Sequence, residues 1–279
     1  MVERNKSLNK LGTVVDAVAK VLLILVMAFP FFWMISTALQ TLKETLSVPL
    51  TLWPESPQWS NFAEVFKTIP VGTYLKNSII VCVSVVIIQY LIIVPCAYSL
   101  AKYDYKGKPL VFALVMLGQM IPMQLTFLPV YFMFGKLGLI NTYASLILPF
   151  ISNPFGIFML RQYFMQIPTE IIEAARLDNA SDLKIMFKIM MPMVKSALVT
   201  IGLLSFISNW NNYFWALIMT NEDAIRTLPI GITLLKDSET LARWNVIMAG
   251  NLLLVLPMLG LYIVASRKIR NAFVYSGIK

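Results

Sequence analysis

Amide and aromatic side chains alternate in one stretch of an otherwise strongly apolar sequence. Residues 208–215 read Ser-Asn-Trp-Asn-Asn-Tyr-Phe-Trp, and further amides lie inside other apolar runs at Gln119, Gln124, Asn153 and Asn251. A planar amide donates and accepts hydrogen bonds together, as a sugar's hydroxyl groups require, and an aromatic ring offers a flat apolar face to the sugar's C–H groups. The pattern is typical of sites for neutral, hydroxylated solutes.

We predict a solute pathway from these side chains, and its members are Gln119, Asn153, Asn209, Asn212 and Tyr213. The same amides could instead join one helix to another, since such bonds contribute about 1 kcal/mol between membrane helices. Both hypotheses stay open at the level of sequence. In a continuous helix Asn209 and Asn212 share a face, whereas Trp210 points roughly 100° away and is expected to act through packing.

The composition places these residues in a membrane. Of the 279 residues, 58% are apolar and only 13% are charged, whereas a soluble domain carries about 25% charged residues. Six apolar runs are long enough to cross a bilayer, at about 18–39, 77–100, 110–134, 142–160, 197–220 and 246–266. The predicted fold is therefore an all-α integral membrane protein with six transmembrane helices.

Lysine and arginine predict the orientation of these helices. With a cytoplasmic N-terminus, sixteen of the 23 basic residues fall on the cytoplasmic side, as the positive-inside rule requires. The net charge of +9 therefore needs no nucleic acid to explain it. The predicted segments are a cytoplasmic N-terminus (1–17), a first transmembrane helix (18–39), an extracytoplasmic loop (40–75), a core with the other five helices (76–266) and a cytoplasmic tail (267–279).

Prolines recur inside the predicted spans. They are expected to break the third, fourth and sixth spans, and they are Pro122, Pro129, Pro149, Pro154 and Pro257. A proline in a span leaves backbone carbonyls that neighbouring groups or cavity water must satisfy. Kinked helices around a pathway are the expected result.

The polar segment 167–195 lies between two apolar runs on the predicted cytoplasmic side. Thr169 is a candidate N-cap, and Glu170 and Glu173 place negative charge in the first turn of a helix that begins near Glu170. The helix is predicted to end near Asp178, because Asn179 readily adopts the left-handed conformation. The segment is predicted to be a helical hairpin.

A second helix of the hairpin is predicted to begin at Ser181 and Asp182 and to end at Pro192. Its apolar residues recur at helical spacing and predict one apolar face; they are Leu183, Met186, Phe187 and Met190.

This hairpin resembles the EAA loop of the permease subunits of binding-protein-dependent ABC importers, whose pattern is E-A-A-x-x-x-G with a later I-x-x-P. The matching residues are Glu173, Ala174, Ala175, Asp178, Asn179 and Ala180, followed by Phe187, Ile189 and Pro192. Asn179 stands where the family has glycine. The likeness extends to three further motifs of maltose-type carbohydrate permeases: F-G-I-F-x-L-R-Q-x-F at 155–164, W-N-x-[FY]-x-W at 210–215 and T-L-P-x-G at 227–231. The second of these motifs usually continues with a proline, where this sequence has Ala216.

The resemblance implies the type I ABC importer permease fold and the role of the smaller permease of a carbohydrate importer in a bacterial or archaeal inner membrane. The implied partners are a second related permease, two cytoplasmic ATPase subunits and an extracytoplasmic solute-binding protein. ATP and Mg²⁺ would be bound by the ATPases, with no catalysis and no cofactor in this chain. The residues implied to couple the chain to the ATPases are Glu173, Ala174, Ala175, Arg176, Asp178, Asn179, Phe187 and Pro192.

Two other classes of function compete with this interpretation. A stand-alone secondary transporter is disfavoured because the six spans carry no charged residue in their interiors, although Asn, Ser and Thr oxygens could still bind an ion. A membrane enzyme or metal site is disfavoured because the sequence has no histidine and no arrangement of nucleophile and base. The identity of the solute stays open, glycerol phosphates and uronate oligomers included.

Overall fold

A computed structural model describes residues 2–236 and 242–274, with side chains for residue 13 and for residues 15–236, 242–263 and 266. This part of the chain is helical and contains no β-strand. Its helices are α1 (Val2–Ala38), α2 (Leu42–Thr45), α3 (Ser60–Thr68), α4 (Val71–Lys102), α5 (Lys108–Met120), α6 (Met123–Lys136), α7 (Tyr143–Ile147), α8 (Pro154–Met165), α9 (Glu170–Leu177), α10 (Asp182–Lys184), α11 (Met191–Met193), α12 (Lys195–Trp210), α13 (Tyr213–Met219), α14 (Leu228–Leu234) and α15 (Trp244–Val274). A 3₁₀ turn follows α7 at Leu148–Phe150, and a π-helix joins α10 to α11 at Ile185–Met190.

Three helices of the described chain are each long and apolar enough to cross a membrane: Val15–Ala38, Val71–Lys102 and Trp244–Ile263. Three bent pairs also qualify: Lys108–Met120 with Met123–Lys136 at 92°, Tyr143–Phe150 with Pro154–Met165 at 44°, and Asp182–Met193 with Lys195–Trp210 at 82°. Counting each pair as one span gives six spans, the predicted number. The predicted fifth span, 197–220, is divided between α12 and α13, and α12 pairs instead with the segment that begins at Asp182.

Two predicted segment boundaries do not coincide with the ends of helices. Helix α1 runs without a break past residue 17, so the predicted end of the N-terminal segment is not a backbone feature. Helix α4 begins at Val71, inside the predicted loop 40–75, because Pro70 precedes it as the N-cap residue and a single lysine, Lys76, does not stop it. The predicted tail 267–279 is described only as far as Val274.

Prolines mark some of the bends and leave other helices continuous. Ile121 is extended before Pro122, as a residue before proline prefers, and the break between α5 and α6 falls there. Pro149 lies in the 3₁₀ turn and Pro154 begins α8. Pro129 and Pro257 were predicted to break helices but lie inside α6 and α15. An interior proline removes one helical hydrogen bond, which neighbouring groups in a membrane can compensate.

The chain divides into two compact units, which we describe separately. The unit formed by residues 1–69 and 232–256 contains the end of α1 and the loop after it. Ser36 donates to the carbonyl oxygen of Leu52 and Gln40 to that of Thr51, both at 2.6 Å. These bonds hold the loop against the last turn of α1.

The unit formed by residues 70–231 and 257–279 has a core between α4, α8 and α12. Gly156 allows α8 to approach both neighbouring helices. A Cβ at this position would lie 2.9 Å from Ile93 Cδ1 and 3.2 Å from Ile201 Cγ2, closer than packed carbon atoms approach. The contact of these three helices positions the two candidate sites described next.

Candidate functional sites: a helical hairpin and an amide-lined cavity

The turn of the hairpin confirms the prediction made from Asn179. Helix α9 ends at Leu177, and Asn179 has a left-handed φ of +54°. The Ala180 amide donates to the Ala175 carbonyl and the Asn179 amide to the Arg176 carbonyl, both at 3.0 Å. This pair of bonds is the Schellman motif, in which glycine or asparagine closes a helix. Asn179 can therefore fill the position that glycine holds in the EAA pattern.

The N-terminal ends of the two hairpin helices differ. Helix α9 begins at Glu170, as predicted, but the Thr169 side chain makes no capping bond; its carbonyl accepts from the amides of Ile172 and Glu173. The second helix is capped by Ser181, whose hydroxyl accepts from the Lys184 amide at 3.4 Å. Of the two predicted side-chain caps, the structure contains the one at Ser181.

The prediction of one apolar face on the second helix is wrong. Met186 and Met190 are buried, whereas Leu183 and Phe187 are 66% and 39% exposed. The π-helix from Ile185 to Met190 has a wider turn and changes the direction of Phe187 and the side chains after it relative to an α-helix, whereas Leu183 lies before it. The exposed side chains of the hairpin include Glu173, Leu177, Leu183 and Phe187, and we call these four the hairpin face.

Pro192 does not end the second helix. It lies inside α11, and the break follows at Val194, where φ is −104° and ψ is 21°. Pro192 follows the π-helix directly within the continuous helical stretch Asp182–Met193, so its ring removes one interior helical hydrogen bond without ending the helix. The bend of 82° into α12 therefore falls two residues later than predicted.

The charged residues of α9 are exposed, whereas its two alanines differ in burial. Arg176 pairs with Asp182 across the turn at 3.2 Å, and this hydrogen bond raises the pKa of Arg176. Ala175 is buried against the core, whereas Ala174 and the Glu173 carboxylate are exposed. The pairing leaves Glu173 available to a partner.

The second site is a cavity of about 370 Å³ between α4, α5, α8 and α12. It contains three of the five predicted pathway residues, Gln119, Asn153 and Asn209. Its full lining is Gln89, Gln119, Pro149, Phe150, Ser152, Asn153, Pro154, Phe155, Leu204, Ser205, Ser208 and Asn209. No side chain of this lining carries a charge, so the cavity suits a neutral group.

Hydrogen bonds hold the amides of this cavity in place. Asn153 caps α8 by accepting from the Gly156 amide at 2.8 Å, and it donates to Gln89 Oε1 at 3.3 Å. Gln89 in turn donates to the Phe150 carbonyl at 2.6 Å, and Asn209 donates to the Ser205 carbonyl at 2.8 Å. Gln89 and Asn153 thus join two helices and also line the cavity, so the two roles are compatible.

Asn212 and Tyr213 do not line this cavity. Helix α12 ends at Trp210, and Asn212 caps the next helix, where its side chain accepts from the Trp215 amide at 3.3 Å. The premise that Asn209 and Asn212 share one helical face is therefore wrong, because a short amide side chain competes with helix hydrogen bonds and favours a cap. Trp210 is buried and stacks on Phe206, with ring centroids 5.7 Å apart.

Gln89 is the amide of the cavity lining that the sequence prediction missed. It lies in the apolar run of α4 between Val81 and Ala97, with few polar neighbours in the sequence. An isolated amide in such a run must find a hydrogen-bond partner inside the protein. That signal was available, and it would have added Gln89 to the predicted pathway.

Comparison with known proteins places this architecture in a family. Residues 7–270 match the family described as the binding-protein-dependent transport system inner membrane component. The chain belongs to this family. The match covers both candidate sites and the six candidate spans.

Individual relatives of this family member cover nearly its whole length. It is 31% identical over 255 residues to the arabinooligosaccharides transport system permease protein AraQ of Halalkalibacterium halodurans, covering 90% of this chain and 91% of that protein. It is 28% identical to the sn-glycerol-3-phosphate transport system permease protein UgpE of Pectobacterium atrosepticum, covering 93% of each chain. Each of these names describes the relative.

A solved structure confirms the type I importer permease fold. The chain matches a bacterial ABC transporter involved in the import of the acidic polysaccharide alginate with a TM-score of 0.83 and 25% sequence identity. The match covers 92% of this chain and 96% of that chain. A second structure, of an alginate ABC transporter in complex with its periplasmic protein, matches at 15% identity and supports the fold alone.

Proposed function

We propose that this chain is a permease subunit of an ABC importer that moves a carbohydrate, an oligosaccharide by its likeness to AraQ, into the cytoplasm. The observation that carries the proposal is the family match over residues 7–270. The uncharged amide cavity supports a solute with exposed hydroxyl groups. The chain makes and breaks no bond itself; ATP and Mg²⁺ bind to separate subunits.

The hairpin is the proposed coupling site. The exposed hairpin face offers the carboxylate of Glu173 and the apolar side chains of Leu177, Leu183 and Phe187 to a partner. Apolar contacts with a polar rim are the usual composition of a protein interface, and we propose a cationic group on the ATPase opposite Glu173. Ala175 packs inward and Asn179 closes the turn, so the hairpin can act as a rigid lever. Rotation of the ATPase would tilt the helices that the hairpin joins.

The amide cavity is the proposed stretch of the pathway within this subunit. Gln119 and Asn209 line it together with the hydrogen-bonded pair Gln89 and Asn153, and these amides can exchange hydrogen bonds with passing hydroxyl groups. The partners we propose are a second related permease, two ATPase subunits that dock on the hairpin and an extracytoplasmic solute-binding protein.

We expect both termini and the hairpin on the cytoplasmic side, because that orientation places most basic residues inside. An exposed cysteine at Ser56 (Ser56→Cys) should react with an impermeant thiol reagent added to intact cells. Lys106→Cys, in the exposed loop between α4 and α5, should react only after the membrane is permeabilised. The unsubstituted chain is the control for Cys82 and Cys96, and labelling in the reverse order would invert the topology.

Co-purification tests the proposed function. An importer permease should leave the membrane with an ATPase, and the isolated complex should hydrolyse ATP faster when a loaded solute-binding protein is added. A chain that purifies alone and moves solute alone under an ion gradient would be a secondary transporter, and the proposal would be wrong.

A further inference from the structure

Two basic side chains, one from α4 and one from α8, form reciprocal hydrogen bonds near the C-terminal ends of these helices. Lys102, the last residue of α4, donates from Nζ to the Ile167 carbonyl oxygen at 2.5 Å. Arg161 of α8 donates from Nε to the Leu100 carbonyl oxygen of α4 at 3.1 Å. Each helix thus supplies a cation to a carbonyl at or beyond the end of the other. We call these two bonds the reciprocal clamp.

The Arg161 bond satisfies a carbonyl group that lacks a partner within its own helix, and the Lys102 bond satisfies one in the turn between α8 and α9. The Leu100 carbonyl would accept from residue 104, but α4 ends at Lys102. Leu100 is 1% exposed and Ile167 is 8% exposed, so both acceptor residues are buried, whereas Lys102 and Arg161 are partly exposed. A cation at a helix C-terminus also interacts favourably with the helix dipole.

Arg161 extends the clamp to a third helix. Its guanidinium carbon lies 4.4 Å from the centre of the Phe112 ring in α5, which is a cation–π contact. One side chain of α8 therefore fixes the ends of α4 and α5 together. A lysine at this position would lack the planar group that makes both contacts.

The clamp lies between the two candidate sites. Ile167 is the first residue of the hairpin segment, and Lys102 anchors it to α4. Gln89, in the lining of the cavity, lies thirteen residues earlier in the same unbroken helix, roughly 20 Å along its axis. If the start of the hairpin segment at Ile167 moves, Lys102 can transmit the movement to α4 and, along α4, to the cavity.

We propose that Lys102 and Arg161 are positioning residues that make α4 and α8 move as one body with the hairpin, so that ATP hydrolysis is converted into solute movement. This proposal rests on the proposed function, since it assigns to the hairpin the input from the ATPase. Loss of either bond lets the hairpin move without α4. Hydrolysis then continues while the number of solute molecules moved per ATP falls.

The test uses the complete importer in liposomes and measures solute uptake beside ATP hydrolysis. Lys102→Met and Arg161→Met should each lower the ratio of uptake to hydrolysis by about fivefold or more, the lower end of coupling between protein sites. The double variant should be no worse than the worse single variant, because both changes break one clamp. Lys102→Arg should restore most of the ratio of uptake to hydrolysis. Lys106→Met removes a positive charge from the loop that follows α4 and should leave the ratio unchanged.

A wild-type ratio in Lys102→Met would overturn the proposal, and so would a fall of hydrolysis and uptake in equal proportion, which indicates a merely structural role. If the unsubstituted complex itself neither hydrolyses ATP nor imports solute, the proposed function fails instead. The clamp then has its own readout in the full chain in lipid nanodiscs. In a chain with Cys82 and Cys96 replaced by alanine, spin labels at Tyr105→Cys and Leu177→Cys should give a narrow distance distribution that Lys102→Met broadens. An unchanged distribution would contradict the clamp.

Discussion

Replacing Glu173 with lysine is expected to lower solute uptake by at least about tenfold while the chain still inserts in the membrane. The carboxylate is exposed on the hairpin face, so its loss costs the fold little. A lysine there would face the cationic group that we expect on the ATPase, and like charges across an interface cost several kcal/mol. The measurement is the amount of ATPase recovered with the chain, together with uptake into liposomes.

Glu55→Lys is the matched control for this charge reversal. Glu55 is exposed in the loop after α1, on the side predicted to be extracytoplasmic, so the ATPase cannot contact it. This variant should assemble and transport as the unsubstituted chain does. A Glu173→Lys complex of normal composition that transports at the unsubstituted rate would show that the hairpin face does not dock the ATPase.

Asn209→Leu is expected to lower uptake by about tenfold or more while stimulated ATP hydrolysis continues. Its side chain lines the amide cavity, and a lost hydrogen bond with an unsatisfied polar group costs about 1–3 kcal/mol. Uptake and hydrolysis are measured in the same liposomes. A fall in uptake alone locates the fault in the pathway.

Asn212→Leu is the neighbouring comparison. It removes the cap of α13, which costs about 1 kcal/mol of stability, but it leaves the cavity lining intact. We expect a lower yield of assembled complex with near-normal uptake per complex. Equal loss of assembly in both variants would mean that these amides serve only to join helices and that the solute passes elsewhere.

Local rules were sufficient to predict the hairpin turn. The left-handed Asn179 and the Ser181 cap depend on bonds within a few residues, so their residue types determine them. The directions of Phe187 and Met190 depend on the π-helix at Ile185–Met190, which the apolar spacing does not reveal. The sequence therefore predicted where the hairpin turns but not the division of the apolar residues of its second helix between buried and exposed positions.

The sequence predicted the kind of side chain that lines the cavity, but only some of the residues that line it. Gln119, Asn153 and Asn209 are amides in apolar runs, and the structure brings them together with Gln89. Asn212 has the same chemistry but caps a helix, because the chain breaks after Trp210. Composition identifies polar groups that need partners, whereas their direction depends on where each helix begins and ends.

The most direct test of the proposed function is uptake by the reconstituted complex under controlled energy sources. Liposomes would be supplied in turn with arabinotriose, diacetylchitobiose or maltotriose, each with its binding protein. We predict uptake of at least one of these sugars. This uptake should require ATP on the side of the membrane that carries the ATPase subunits, and it should not respond to a proton or Na⁺ gradient. Uptake by this chain alone, driven by an ion gradient without ATP, would contradict the account.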